Sequence, residues 1–269
     1  MAQVIVKRTA WKRSLEDYAY AAGLDRPGWA WEYLRRNQDY HLHWQSHKDL
    51  MPKLQQRRSG VSICRLRQPC APAEQWGLSL FIDPQMTALD AGIHWHSTAT
   101  SCQVCCVANP KDCEKGLTET LSNFCGRKHV LSCNGVEYVI IQSGSVSVRL
   151  AVKGASLLKG NCDLIYQIEG LERLNAVAEA LANLRRMKCE SQIKESAFGQ
   201  TELRLRECLV ALDGHLARRS YRDIAEVLYG SDRVKEVWTN ETRHLKDKVR
   251  RAVASGIDYM NGGYRKLLQ

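Results

Sequence analysis

Ser220-Tyr221-Arg222-Asp223-Ile224-Ala225-Glu226-Val227-Leu228-Tyr229-Gly230 is the stretch on which the fold of this chain turns. Ser220 followed three residues later by Asp223 is a capping-box pattern, with Asp where Glu or Gln is usual. It predicts a short helix whose Ile224, Ala225 and Leu228 face inward. A small Ala in mid-helix and a turn at Gly230 suit two helices that cross steeply at close range. Upstream, Leu203, Leu205, Cys208, Leu209 and Leu212 line a helix that ends near Arg218. Downstream, Ser231 to Trp238 reads as a long connection, and a second, longer helix follows from about Thr239 to Asp258. Its Leu245, Val249, Ala252, Val253 and Ile257 recur at helical spacing and make its buried stripe.

The opposite face of that long helix carries Arg243, Lys246 and Arg250, spaced by three and four residues. Asn240 and Thr242 stand at its N-terminal end, where a helix lying in the major groove presents side chains to base edges. Arg218, Arg219 and Arg222 surround the start of the preceding helix, where cations and free backbone N–H groups clamp phosphate. Glu241 and Asp247 on the same surface fit the plainer reading of a solvated charged face.

The charge distribution separates three segments. Residues 1–67 hold 13 Lys+Arg and 6 Asp+Glu, residues 68–198 hold 12 and 13, and residues 199–269 hold 14 and 10. Two basic ends thus flank a nearly neutral middle, and the whole carries +10. Excess cation attracts phosphate backbones, which makes nucleic acid the natural partner class. The expected architecture is α+β: a helical N-terminal domain over 1–67, a β-rich middle with a Cys-rich loop over 68–198, and a helical helix-turn-helix variant over 199–269.

In the first segment Ser14 is the N-cap of a helix through Tyr18, Ala19, Tyr20 and Ala21 that closes at Gly23. A second helix starts near Asp25 with Pro27 in its first turn. Trp29, Tyr33 and Leu34 form its apolar stripe, and Arg35 and Arg36 sit in the last turn, where cations suit the helix dipole. A third, polar helix extends from Tyr40 to Leu54. In the middle, Trp76 to Ile82 alternates imperfectly as a strand. Val136–Gln142 and Val146–Val152 around Ser143-Gly144 make the clearest hairpin, and Leu164 to Ile168 is a further strand. The amphipathic helix Leu171 to Lys188 reads as the lead into the last domain.

Leu209 to Leu268 resembles the C-terminal domain of a family of proteobacterial mobile-element regulators. The resemblance is carried by Ser220 to Gly230, by Arg233-Val234-Lys235-Glu236-Val237-Trp238, by Leu245 to Arg251 and by Gly262 to Leu268. Tyr18 to Tyr40, with Trp29-Ala30-Trp31-Glu32-Tyr33-Leu34-Arg35-Arg36-Asn37, is similar to the companion domain. Together they resemble the FseA-type activators of integrative and conjugative elements. The resemblance implies an extended-turn helix-turn-helix on promoter DNA, with an N-terminal domain packed on it. It also implies work alongside RNA polymerase and competition from single-domain acidic antiactivators. The middle matches only in its strands, Val136 to Gly170, and the Cys-rich segment departs from the family. The positive C-terminal charge favours an activator over an antiactivator or another protein that binds a regulator in place of DNA.

His94, His96, Cys102, Cys105, Cys106, Cys113, Cys125 and Cys133 fall within 40 residues. Cys102 and Cys105 form a tight pair that can grip one metal, and Cys113 with Cys125 or Cys133 can complete the set. Dispersed thiols fit an iron–sulfur cluster at least as well as zinc. Metal ligation of Cys102, Cys105, Cys113 and Cys133 is expected to order a loop over 94–133. The competing reading makes the thiols small buried apolar residues. Met1 to Arg13 is basic without an apolar core, and no run approaches a membrane span. A cytoplasmic protein with no membrane association is expected. No phosphate-binding Gly loop or acid–base pair supports an enzyme.

Overall fold

The computed structural model describes residues 14–52, 54–56, 60–100, 103–110, 121–159, 161–190, 197–238 and 242–269. In chain order the elements are α1 (Arg26–Leu34), α2 (Gln38–His47), β1 (Gln55–Gln56), β2 (Val61–Leu66), α3 (Ala71–Glu74), β3 (Val104–Pro110), β4 (Arg127–Cys133), β5 (Val136–Ser143), β6 (Val146–Gly154), β7 (Cys162–Gln167), α4 (Leu174–Cys189), α5 (Gln200–Leu216), α6 (Tyr221–Tyr229), α7 (Ser231–Val237) and α8 (Thr242–Met260). The fold is α+β, with helices at both ends and a mixed sheet between. None of the described helices is long and apolar enough to cross a membrane.

Packing groups residues 1–46 with 197–267 in one compact unit and residues 47–196 with 268–269 in another. The composition breaks at 67/68 and 198/199 follow charge, a surface property, whereas the packing follows buried side chains.

The helical unit is built around α1. Asp25 caps it by accepting the Gly28 N–H at 2.8 Å. Every residue from Pro27 to Leu34 is buried, so the helix is enclosed on all sides and carries no one-sided stripe. Asn37 Oδ1 accepts the Tyr40 N–H at 3.0 Å and starts α2. That helix stops at His47, followed only by a 3-10 turn over Lys48–Leu50, short of the expected Leu54.

The sheet of the other unit runs β1-β2-β4-β5-β6-β3-β7. Neighbours are antiparallel except β2 with β4 and β3 with β6. Ile63, Val130, Val139, Leu150 and Val104 lie side by side across five strands on one face. Val177, Leu184 and Met187 of α4 join that core. The helix expected to lead into the last domain therefore closes the sheet instead: its apolar stripe needs a partner, and the sheet's inner face supplies one.

Two further expectations change. Residues 76–82 make no strand, only an isolated bridge from Leu78 to Trp95, because this stretch lies over the sheet's second face. The segment 94–133 is not one loop: it contains β3 and β4, whose Val104, Cys106, Ala108 and Val130 enter the core. Apolar alternation, in the end, orders the described part of it.

Candidate nucleic-acid interface

The end of α5 places the first cations. Arg218 takes a left-handed φ of 58°, and its N–H donates to the His215 carbonyl at 2.9 Å. The Arg219 N–H donates to the Gly214 carbonyl at 2.9 Å, completing a Schellman closure with Arg where Gly is usual. Arg218 and Arg219 are thereby turned out to solvent. Ser220 then caps α6 reciprocally: its Oγ accepts the Asp223 N–H, and Asp223 Oδ2 accepts the Ser220 N–H, both at 3.1 Å. Arg222 is exposed and pairs with Glu226 at 3.2 Å.

Gly230, at φ 87°, ends α6, and α7 begins at the next residue. The stretch 231–238, expected as a connection, is thus mostly helix, and Val234 is its buried anchor among the described side chains. Asp232, Arg233, Lys235 and Glu236 cancel along α7, which leaves α8 as the basic element of the unit.

In α8, Leu245, Val249, Ala252 and Val253 are buried, while Ile257 is only half-buried. The close contact falls instead on Gly256, where a Cβ would lie 2.6 Å from the Cys208 carbonyl oxygen of α5. Lys246 and Arg250 are exposed, Arg250 with Asp247 at 3.2 Å. Arg251, which helical spacing did not single out, is exposed beside them. Lys248 is drawn away to Glu207 at 3.3 Å and over the Tyr229 ring. Asn240 lies outside the described residues, as do the side chains of Thr242 and Arg243.

Behind this surface sits a buried ion network that spacing did not reveal. Glu32 Oε2 accepts from Arg35 Nε at 2.7 Å, Arg36 Nη1 at 2.8 Å and Tyr20 Oη at 2.7 Å. Arg36 reaches on to α5, with Nε to Asp213 Oδ1 at 2.5 Å and Nη2 to Asp213 Oδ2 at 2.8 Å. Tyr18 donates to Asp213 Oδ2 at 2.9 Å. Two carboxylates thus balance two guanidiniums in a buried space. Burial works against the Arg36 charge, but Asp213 and Glu32 outweigh it and raise its pKa further. Burial, then the Asp213 charge, push the Tyr18 phenol well up, so it stays a donor. Tyr33 Oη donates to the Leu205 carbonyl of α5 at 2.7 Å, and its ring packs on Tyr259 of α8. The companion segment thereby holds the two helices that frame the basic surface.

Of the proposed metal ligands, Cys105 and Cys133 lie apart. Cys102 and Cys113 lie outside the described residues. Cys105 is on β3 and Cys133 on β4, with β5 and β6 between them. At the usual strand spacing that puts them roughly 14 Å or more apart, too far for one ion. Cys106, Cys133, Cys64 and Cys162 are buried, and burial pushes each thiol up, as for packing residues. Among the described residues no three His, Cys, Asp or Glu side chains converge as a metal site requires.

Two family models match the chain. Residues 162–269 match the family described as T6SS, Transcription factor, DNA binding domain. Residues 11–80 match the proteobacterial transcriptional regulator-like domain. A search of curated proteins finds no match. The two family matches support a transcription regulator that binds DNA.

Proposed function

We propose that this protein is a sequence-specific transcriptional activator that docks α8 against promoter DNA. In this reading it controls excision and transfer genes of a mobile conjugative element. The carrying observation is the outward face of α8, where Lys246, Arg250 and Arg251 are exposed opposite a buried stripe. Arg218, Arg219 and Arg222 at the α5–α6 junction clamp phosphate, and Asn240, Thr242 and Arg243 serve the N-terminal end of α8. Holding Arg218 in a left-handed backbone costs free energy that Gly would not, which fits a residue kept for its guanidinium.

The activator class and the mobile-element target rest on the resemblance of Ser220 to Gly230 and Trp29 to Asn37. RNA polymerase is then a partner at the promoter. An acidic single-domain antiactivator would act by competing for the α5 contacts that α1 makes, Asp213 first among them.

The test measures binding of the full chain to a labelled fragment of its element's excision-gene promoter and to a scrambled duplex, from 50 to 200 mM salt. Specific affinity at least about 10³-fold above the scrambled duplex is expected. Reporter transcription should also rise when the protein is expressed. Equal, salt-driven binding to both duplexes would leave a non-specific DNA binder, and a silent reporter would remove the activator role.

A further inference from the structure

The two edges of the sheet are finished differently. At one end of the strand order β1 is two residues long, Gln55–Gln56, which leaves little backbone for a further strand to pair with. At the other end β7 runs six residues, Cys162–Gln167, paired with β3 along one side. Among the described residues no strand lies on its outer side, so alternate N–H and C=O groups point outward there. Sheet edges are normally blunted by Lys, Pro or a bulge. β7 has no Lys, Arg or Pro, and its pairing with β3 is unbroken from Cys162 to Gln167.

The side chains mark the same edge. Leu164 and Tyr166 pack against the core that the sheet shares with α4. Ile165 alternates to the opposite face and is 55% exposed in mid-strand. Beyond the strand, Ile168, Leu171 (83% exposed) and Leu174 continue the apolar run to the start of α4. Single exposed leucines need no explanation, but four exposed apolar residues within one short stretch beside an open sheet edge mark an interface.

The pattern of β7 fits a second copy of itself. A two-fold axis normal to the sheet lays two β7 strands side by side antiparallel and keeps each face continuous, so odd-numbered residues meet odd-numbered ones. Centred on Ile165, this register sets Ile165 opposite the partner's Ile165, Leu164 opposite the partner's Tyr166 and Asp163 opposite the partner's Gln167. Apolar meets apolar and polar meets polar at each of these positions. Sliding by two residues one way sets Asp163 opposite the partner's Glu169, like charge on like. Sliding the other way sets Asp163 opposite the partner's Ile165.

We propose that β7 is a self-association surface, through which two copies of this chain join their sheets edge to edge, antiparallel about Ile165, with Ile168, Leu171 and Leu174 as its apolar flank. These residues belong to the sheet unit, so the surface stands apart from the α8 reading.

The test is sedimentation equilibrium of the full chain without DNA, from about 1 to 100 μM. A reversible monomer–dimer equilibrium is expected. Ile165→Lys sets like charges against each other across the two-fold axis and should weaken association about 10-fold or more, and Leu171→Glu about 3-fold or more. Both positions are exposed, so circular dichroism should stay native. The register is checked by cross-linking with a short bismaleimide beside wild type, which reports the native thiols. Ile165→Cys should link readily to dimer. Gln167→Cys places its two thiols four residues, roughly 13 Å, apart along the strands and should not exceed wild type. A monomer throughout the range would overturn the proposal and leave the edge to a strand of another protein. A dimer that both Ile165→Lys and Leu171→Glu leave at wild-type strength would overturn it too, as would Gln167→Cys linking as readily as Ile165→Cys.

Discussion

The two units bury polar groups in opposite ways. In the helical unit Glu32, Arg35, Arg36, Asp213, Tyr18 and Tyr20 are all engaged, charge against charge, in a closed network. In the sheet unit His129 is buried with no hydrogen-bond partner, and His94 lies beside it under the field of Arg149. A closed network specifies one arrangement, and breaking it exposes an uncompensated charge. An open cluster costs stability as it stands. The closed network is what a rigid DNA-reading frame requires.

Removing one partner of the closed network should have the largest effect. Asp213→Ala strips Arg36 and Tyr18 of their shared acceptor in a buried space. Urea unfolding should show a destabilisation of about 3–5 kcal/mol, most of it recovered when Arg36→Met is added. A change under about 1 kcal/mol would mean that water reaches the network.

Acid should act on the open cluster. His94 titrates near 6.5 when unfolded and near 3 when folded, so the unfolded chain binds the proton first as pH falls. Its contribution is intact above about pH 6.5 and declines below it. Unfolding at pH 7.5 and pH 5 should differ by about 2 kcal/mol from this group alone. His94→Gln should flatten that difference; an unchanged pH profile in the variant would assign the acid sensitivity elsewhere.

Replacing the unpartnered imidazole should then help. His129→Leu removes two unsatisfied nitrogens at similar volume, and a gain of about 1 kcal/mol is expected by thermal unfolding. Destabilisation beyond about 1 kcal/mol would show that the ring is satisfied after all, closing the gap between the two units. The smallest effect belongs to Arg218. Arg218→Gly relieves the left-handed backbone and should stabilise the helical unit by about 0.5–1 kcal/mol, while DNA affinity falls. Unchanged DNA affinity would leave Arg218 out of the interface.

These differences also explain what the sequence could say. The capping box at Ser220, the buried stripe of α8 from Leu245 to Val253 and the β5–β6 hairpin are local patterns, and each appears where its spacing puts it. Arg36 with Asp213 is a contact across 177 residues, and no local period encodes it. The run Glu32, Arg35, Arg36 hinted at it, since three charges inside an aromatic helix need partners if the helix is enclosed. The cysteines meet the same limit. Alternation in Val104-Cys105-Cys106-Val107-Ala108 marks a strand, but thiol spacing draws attention to metal, and only sheet order separates Cys105 from Cys133. Stretch 231–238 hid its helix because α7 is short, mixed in charge and anchored through Val234.

The central claim is that α8 reads DNA. Its most direct test is the affinity of the Arg243→Ala, Lys246→Ala, Arg250→Ala triple variant for the promoter fragment, measured from 50 to 200 mM salt beside wild type. Lys246 and Arg250 are exposed, so the fold should persist and the melting temperature should hold. Affinity should drop by about 10-fold or more, and the salt slope should flatten by about 0.9 for each phosphate the variant no longer neutralises. A folded triple variant with wild-type affinity and slope would contradict the assignment and move the DNA-binding surface off α8.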